Sequence, residues 1–548
     1  MRLAHTRHSP GRNLHVAETQ PANGIKSDDE YREYSTATRV IILVALMCGV
    51  LLEILDVSIV NVAIPDMMGN LGATLDQISW VSTGYIIANV IVLPLTGWLS
   101  SHFGRRRYLG YSMIIFTVAS FFCGISRSLN MLIFFRILQG IGGAALLSTA
   151  QATMLEIFPP WQIGMVQGIF GIGIMVGPTV GPTLGGWITD NYTWPWIFFI
   201  NIPIGIIAAT LTLMFLRDSR HQTRHASVDF IGIILLAVGI GSLQTILEKG
   251  NREDWFQSNL ICILSVVMVI GLIAFVWWEL HTPHPAVNLR ILKNSAFSAG
   301  TCFAMVLGFG LYGGTFVLPV FMQSLLHYSA AQTGWMLFPG GIATALVIPW
   351  IGKLVYKTKP RNLVAIGTVG FIISMLLLKR LNMDSGQMNI FWPLVLRGAS
   401  MGFLFMPLNL STLLVLEQRE IPAGTGMFNL FRQLGGSMGI AFLATFVDHR
   451  EAFHRSMLVE RVNVYSTAAL QRLHALEGGF MARGFSHAVA SKQALATVDR
   501  IVQGQSAVLA YDDALLMIAY VFIGVLPLVL LLRNTMLSQR PGATPMVD

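Results

Sequence analysis

The sequence predicts an all-α integral membrane protein of fourteen transmembrane helices, arranged as six, two and six, and three observations predict it. Of its 548 residues 54% are hydrophobic and only 12% charged, about half the charged share of a soluble globular domain. Apolar runs recur from Val40 to Leu532 with only short polar breaks, which excludes a string of soluble domains in favour of one membrane domain. Lysine and arginine crowd into alternate breaks, the pattern that orients a multi-span chain across a bilayer.

The first 38 residues are polar, of mixed charge and rich in Ser, Thr and Asn. The apolar run that follows is too long for a signal-peptide core, so 1–38 reads as a cytoplasmic tail before an uncleaved first span. Runs of roughly 18 to 25 mostly apolar residues, the length that crosses a bilayer as helix, then cover 40–64, 80–100, 109–126, 130–152, 164–188 and 196–216. Two more cover 229–247 and 258–278, and a second six cover 297–320, 333–352, 363–378, 390–415, 426–447 and 514–532. The chain therefore divides into a six-helix half over 39–217, a two-span linker over 218–295, a second six-helix half over 296–533 and a short tail over 534–548.

With the N-terminus cytoplasmic, the inner loops hold Arg105, Arg106, Arg107, Arg217, Arg220, Arg224, Arg290, Lys293, Lys353, Lys357, Lys359, Arg361 and Arg419. The short outer loops hold only Arg127, Lys249, Arg252, Lys379 and Arg380, a bias that puts both termini inside. The net charge of +8 thus reports topology and implies no nucleic acid. The segment 448–513 falls outside as one long outer stretch. Within it small and apolar residues recur at helical spacing on either side of Gly478-Gly479, which predicts two amphipathic helices joined by the glycines. Cys48, Cys123, Cys262 and Cys302 all lie in apolar runs with no close spacing, and read as small buried hydrophobes and not disulfides or metal ligands.

An internal repeat supports two similar halves. Gly97-Trp98-Leu99 followed by Arg106 matches Gly352-Lys353-Leu354 followed by Arg361 at one spacing, each after the second span of its half. Two related halves with a cleft between them are what an alternating-access carrier needs, because rocking one against the other exposes a midplane site to each side in turn.

A charged side chain near a bilayer centre costs on the order of 2.5–3.5 kcal/mol, so the few that occur mark sites. The first span carries Glu53 and Asp56, three apart and on one helical face; Arg136, Arg397 and Arg432 lie in later spans. Asp56 reads as functional, because desolvation lets a carboxyl in a low-dielectric cavity bind and release a proton near neutral pH. Glu53, one turn away, either shares that proton or tunes its neighbour. Arg397, close to Pro393, reads as a structural pair or a residue near the membrane edge. Arg136 precedes Gly140, Gly142, Gly143 and Ala144, a small-residue face for close helix contact, so its guanidinium points into the bundle, with the first span as a candidate partner. Asn429, Arg432 and Gln433 form a second polar patch ahead of Gly435-Gly436. Together with Asn61 and Gln139 they are the candidates for lining a substrate cavity, a structural hydrogen-bond network being the competing reading.

The fifth span carries Gly173, Gly177, Pro178, Gly181, Pro182, Gly185 and Gly186. Its prolines remove two helix donors, and glycines four apart let a bent helix pack tightly on a neighbour.

These segments resemble the major facilitator superfamily, and within it the fourteen-span drug:proton antiporters. Leu55 to Pro65 resembles the first-span signature of that group, Gly97 to Leu109 the loop between spans 2 and 3, Arg136 to Gly143 the fourth-span motif, and Gly173 to Gly186 the fifth-span antiporter motif. Trp196 to Gly205, Gly241 to Gln244 and Asp254 to Phe256 are similar to the EmrB-like branch. The resemblance implies proton coupling through Asp56, Glu53 and Arg136, and a gating loop at Gly97, Gly104, Arg105 and Arg106. It further implies a multidrug efflux pump of a bacterial inner membrane, driven by the proton gradient without a cofactor. Such a pump works with a periplasmic membrane-fusion adaptor, EmrA-like, and a TolC-like outer-membrane channel. Ser101 departs from the pattern by standing where the loop motif has an acid, and Pro195 stands where the family often has a basic or polar residue.

No Gly-x-x-x-x-Gly-Lys-Ser/Thr loop occurs, so an ion gradient and not ATP is the expected energy source. No metal-spaced His/Cys set supports enzyme chemistry. The alternative is an exporter or symporter of the same fold with a narrower natural substrate, such as a siderophore, fatty acid or bile acid. The substrate's charge stays open, since Arg136 and Arg432 favour anions or neutral lipophiles whereas Glu53 and Asp56 favour cations.

Overall fold

A computed structural model describes residues 34–218, 229–463 and 465–532. The predicted tails, apart from the last residues of 1–38, lie outside these, as do Arg220 and Arg224. Every regular element among the described residues is helical. The first half comprises α1 (Thr36–Leu71), α2 (Leu75–Val92), α3 (Thr96–Phe103), α4 (Arg105–Gly124), α5 (Leu129–Ile157), α6 (Pro160–Asn191), α7 (Trp196–Phe199) and α8 (Asn201–Phe215). The linker contributes α9 (Phe230–Lys249) and α10 (Asn259–His281). The second half comprises α11 (Ser295–Ser324), α12 (Ala330–Leu354), α13 (Pro360–Leu378), α14 (Gln387–Leu413), α15 (Ile421–Arg461), α16 (Thr467–Ala482) and α17 (His487–Val525).

Polar residues at the ends of the apolar runs set the helix boundaries by satisfying the first free N–H groups. Ser35 caps α1, Ser128 caps α5 and Asn294 caps α11. Thr74 with Gln77, and Ser329 with Gln332, form reciprocal capping boxes at α2 and α12. Gly72 ends α1 at φ 61°, a left-handed conformation that glycine adopts without a Cβ penalty.

Twelve helical stretches of the described residues are long and apolar enough to cross a membrane. They are α1, α2 with α3, α5, α7 with α8, α9, α10, α11, α12 from Gln332, α13, α14, α15, and α17 with the turn that follows it. The 20-residue α4 and the 32-residue α6 are not among the twelve; α4 opens on Arg105, Arg106 and Arg107.

The packing repeats. α1 packs on α5, α6 and α8, and α11 packs on α14, α15 and α17; α4 lies on α5 and α8 as α13 lies on α14 and α17. The halves meet where α6 lies on α12, and where α15 lies on α3 and α5. The linker helices pair with each other, and α9 also touches α2 of one half and α15 of the other. Near its end Gln244 donates to Ser437 Oγ at 2.9 Å, Lys249 pairs with Asp76 at 3.3 Å, and Trp255 Nε1 donates to Thr445 at 2.9 Å.

The outer segment differs from expectation. α15 continues unbroken to Arg461, and α17 begins at His487 and runs without interruption to Val525. The two helices therefore project as stalks, with α16 between them. Gly478 and Gly479 lie inside α16 and join nothing; the turn falls at 483–486, where Gly484 has φ 91°. Two glycines in an exposed helix cost about 1 kcal/mol each against Ala, too little to break it.

Candidate functional site

Asp56 sits in the middle of α1, fully buried, and three side chains from two other helices donate to it. Arg136 Nη1 of α5 reaches Oδ2 at 2.5 Å, Gln139 Nε2 of α5 reaches Oδ1 at 2.9 Å, and Asn201 Nδ2 of α8 reaches Oδ1 at 3.1 Å. Arg136, 1% exposed, also donates from Nε to Val81 O at 3.0 Å and from Nη1 to Gln139 Oε1 at 2.8 Å. Its guanidinium lies 4.2 Å from the centre of the Tyr85 ring. A buried ion pair of this kind persists only when its remaining donors and acceptors are also satisfied, and the amides of Gln139 and Asn201 do that.

The glycines of α5 let that helix, and Arg136 with it, lie close on α2. A Cβ on Gly140 would stand 2.4 Å from Tyr85 O, and one on Gly143 would stand 2.7 Å from Tyr85 Oη. The glycines of α6 act likewise against α1. A Cβ would meet Met47 Cε at 2.7 Å from Gly173, Ile54 Cγ2 at 2.1 Å from Gly177, Ser58 Oγ at 1.9 Å from Gly181 and Ile59 Cγ1 at 2.8 Å from Gly185. Gly186 has room, with Val62 at 3.8 Å. Pro178 and Pro182 both lie within the continuous α6, so the paired prolines do not break the helix.

Glu53, one turn before Asp56, is 6% exposed and accepts from Asn89 Nδ2 at 3.2 Å. Its Oε2 has no partner among the described residues. Arg432 of α15 acts on it electrostatically from the opposite half. Arg432 is itself buried, over the Phe405 ring, with Nε and Nη1 unpartnered among the described residues. Asn429, one turn earlier, donates to Gln151 Oε1 at 2.9 Å, while Gln151 Nε2 donates to Asn409 Oδ1 at 2.9 Å. This buried chain joins α5 of one half to α14 and α15 of the other. Gln433 is half-buried, and Asn61 is exposed and accepts from Ser82 Oγ at 3.1 Å. Asn61 thus stands apart from the buried polar set, and Gln139 is taken up by Asp56 and Arg136.

The repeated loops contact opposite halves. A Cβ on Gly97 would stand 2.5 Å from Ala423 Cα at the start of α15, and one on Gly352 would stand 3.4 Å from Gly164 O near the start of α6. Tyr356 Oη donates to Pro160 O at 2.7 Å and accepts from Gly164 N at 2.9 Å; burial pushes its hydroxyl above the ordinary range, which keeps it a neutral donor. Arg105 pairs with Glu156. Gly104 has φ 87° and lies against Asp218, which accepts from Arg106 N at 2.9 Å. Ser101 donates to Trp98 O in its own helix, and the acids that contact this loop are Asp218 at Arg106 N and Glu156 at Arg105. The molecule is closed at the face where α1 begins.

Arg397 departs from expectation. It lies ten residues into α14 (Gln387 to Arg397), about 15 Å along the axis. It is 7% exposed and donates to Leu311 O at 3.3 Å, so it is packed inside the bundle and makes no ion pair among the described residues. Asn201, Tyr85, Asn89, Gln151 and Asn409 were not singled out from the sequence. Each is a polar group in an apolar run that would cost several kcal/mol unpaired, and that signal was present for the uncharged amides as it was for the charges.

Two helical halves, closed on one face and enclosing a buried charged site, define a membrane transporter. Residues 46–440 match the model of the Major Facilitator Superfamily, and the chain belongs to that family of transporters; it is not an enzyme. It is 36% identical over 497 residues to the multidrug export protein EmrB of Escherichia coli K12, covering 90% of this chain and 95% of that protein. It is 33% identical over 493 residues to the fatty acid resistance protein FarB of Neisseria gonorrhoeae, covering 90% and 96%. Among solved structures it is similar to the human organic anion transporter MFSD10, with a TM-score of 0.56, 12% identity and coverage of 89% and 100%.

Proposed function

We propose that this chain is a proton-coupled antiporter that exports small amphipathic compounds as the inner-membrane member of a tripartite efflux system. In this reading α4 and α6 also cross the bilayer, giving fourteen spans, and both termini and the closed face are cytoplasmic. The observation that carries it is the burial of Asp56 with Arg136, Gln139 and Asn201 at the packing centre of α1, α5 and α8.

Asp56 carries the proton. While Arg136 holds it, the carboxylate is neutralised by the guanidinium; protonation removes the attraction and frees Arg136, so the helices that share the pair can move relative to each other. Glu53 lies between this pair and Arg432 and passes the change towards the second half. An exporter fits the glycine contact of α6 on α1, which leaves no gap beside the proton site. The names of the relatives support multidrug export, and fatty acids are the second substrate class because one relative confers resistance to them. An adaptor of the membrane-fusion type would dock on the stalks of α15 and α17 with α16.

Everted vesicles energised by respiration test the proposal. Asp56→Asn is expected to abolish substrate-dependent proton release and drug uptake into the vesicles while the protein stays folded in the membrane. Wild-type transport by this variant would reject it.

A further inference from the structure

The mirror position of the Asp56 pair holds a cation without its acid. α14 packs on α11 as α5 packs on α1, and Arg397 of α14 reaches towards α11 as Arg136 of α5 reaches α1. Where α1 presents Asp56, α11 presents Gly314, at the same distance along the helix to within one residue. A Cβ on Gly314 would stand 2.7 Å from Arg397 Nη2 and 3.2 Å from its Cζ. The guanidinium therefore lies on bare glycine backbone. Its hydrogen bond among the described residues runs from Nη2 to Leu311 O, and no acidic side chain pairs with it there. The residue is 7% exposed, nearly but not wholly closed off.

An unpaired guanidinium in so dry a place is held at a cost of several kcal/mol, which a counter-charge would offset. The planar fork of Arg fits an oxyanion in two-point fashion. In the first half that counter-charge is built into the chain; in the second half it is left out. We propose that Arg397, exposed by Gly314, is an anion-binding subsite of the second half that takes the carboxylate or sulfonate head of an amphipathic solute. The inference rests on the export reading, and names the charge of one class of its substrates. It also gives the two halves different tasks, the first holding a carboxylate of its own and the second receiving one from outside.

The test is equilibrium binding of radiolabelled taurocholate, a permanently charged sulfonate, and of tetraphenylphosphonium, a cation, to the full chain in phosphatidylcholine nanodiscs, where no anionic lipid competes. Gly314→Asp places a carboxylate beside Arg397, whose flexible end can shift to admit it. Taurocholate affinity is expected to fall about tenfold or more while tetraphenylphosphonium affinity is unchanged. Gly314→Asn, equal in size but uncharged, is expected to keep taurocholate affinity within about threefold, and Arg397→Lys to retain part of it. Equal weakening by Asp and Asn would show that volume and not charge matters, and would overturn the proposal, as would unchanged taurocholate binding by the Asp variant. Wild-type protein that releases protons on adding tetraphenylphosphonium but binds no taurocholate would overturn this inference and leave the export reading standing. Absence of both responses would reject both.

Discussion

Asp56 and Arg136 are each too costly to bury alone, and each makes the other tenable. Removing one partner of a buried pair costs about 3–5 kcal/mol, because the remaining charge is left uncompensated. Arg136 serves three acceptors, Val81 O from Nε and both Asp56 and Gln139 from Nη1, while lying over the Tyr85 ring. A lysine ammonium keeps the charge but offers no planar fork to meet these directions together. Arg136→Lys is therefore expected to insert and fold yet lose at least about tenfold in proton-coupled transport, measured as the rate of pH change in everted vesicles. A rate equal to wild type would show that charge alone is needed at this position.

At the scale of helices, the glycine ladder of α6 makes the clearest demand. Gly181 lies where a Cβ would overlap Ser58 Oγ at 1.9 Å, and Ser58 Oγ already donates to Ile54 O at 3.0 Å. Overpacking by a branched side chain there costs about 1–3 kcal/mol or more and separates α6 from α1. Gly181→Leu is expected either to stop transport or to leak protons without substrate, read from passive pH decay in proteoliposomes; Gly186→Leu, where there is room, is expected to do neither. Normal coupling in the Gly181 variant would make the ladder a tolerant contact. The stalks give a second prediction. α16 and the outer part of α17 carry exposed apolar side chains, among them Met481, Val489, Leu495 and Ile501, which suit a protein or membrane surface. Deleting 466–503 is expected to spare transport in vesicles and to abolish resistance in whole cells, because only an assembled system crosses two membranes. Survival of resistance would refute docking at this segment.

At the scale of the molecule, the closed face is held by contacts between halves: Gly97 on Ala423, Tyr356 on Pro160 and Gly164, and the amide chain through Gln151, Asn409 and Asn429. Gln151→Leu removes two buried hydrogen bonds and leaves Asn409 and Asn429 without their partner, at about 1–3 kcal/mol each. That cost falls only on the closed arrangement, so the population is expected to shift towards the one open at this face by about tenfold or more. Spin labels at Phe103 and Arg419, in a background without the four native cysteines, would report it as a longer distance distribution. An unchanged distribution would mean that the Gly97 and Tyr356 contacts hold the face shut without the amide chain.

The sequence by itself determined the class of molecule, the run of helices and most of the charged residues of the site, for one physical reason. A bilayer core taxes every charge and every unpaired polar group, so what survives in an apolar run is conspicuous: Asp56, Glu53, Arg136 and Arg432 stood out on cost alone. Glycine spacing likewise marked α5 and α6 as close-packing helices before any neighbour was known. Only the tertiary structure decided who pairs with whom. The span from Asp56 to Asn201 covers most of a half of the chain, and nothing local says that α8 returns to α1. Arg397 shows the limit from the other side. Its residue type and place in the run resemble those of Arg136, but whether it meets an acid depends on a facing helix, and that helix presents Gly314. The stalks were missed because helix continuity past a membrane boundary depends on packing of α15 against α17, where the sequence shows only a change from apolar to polar residues.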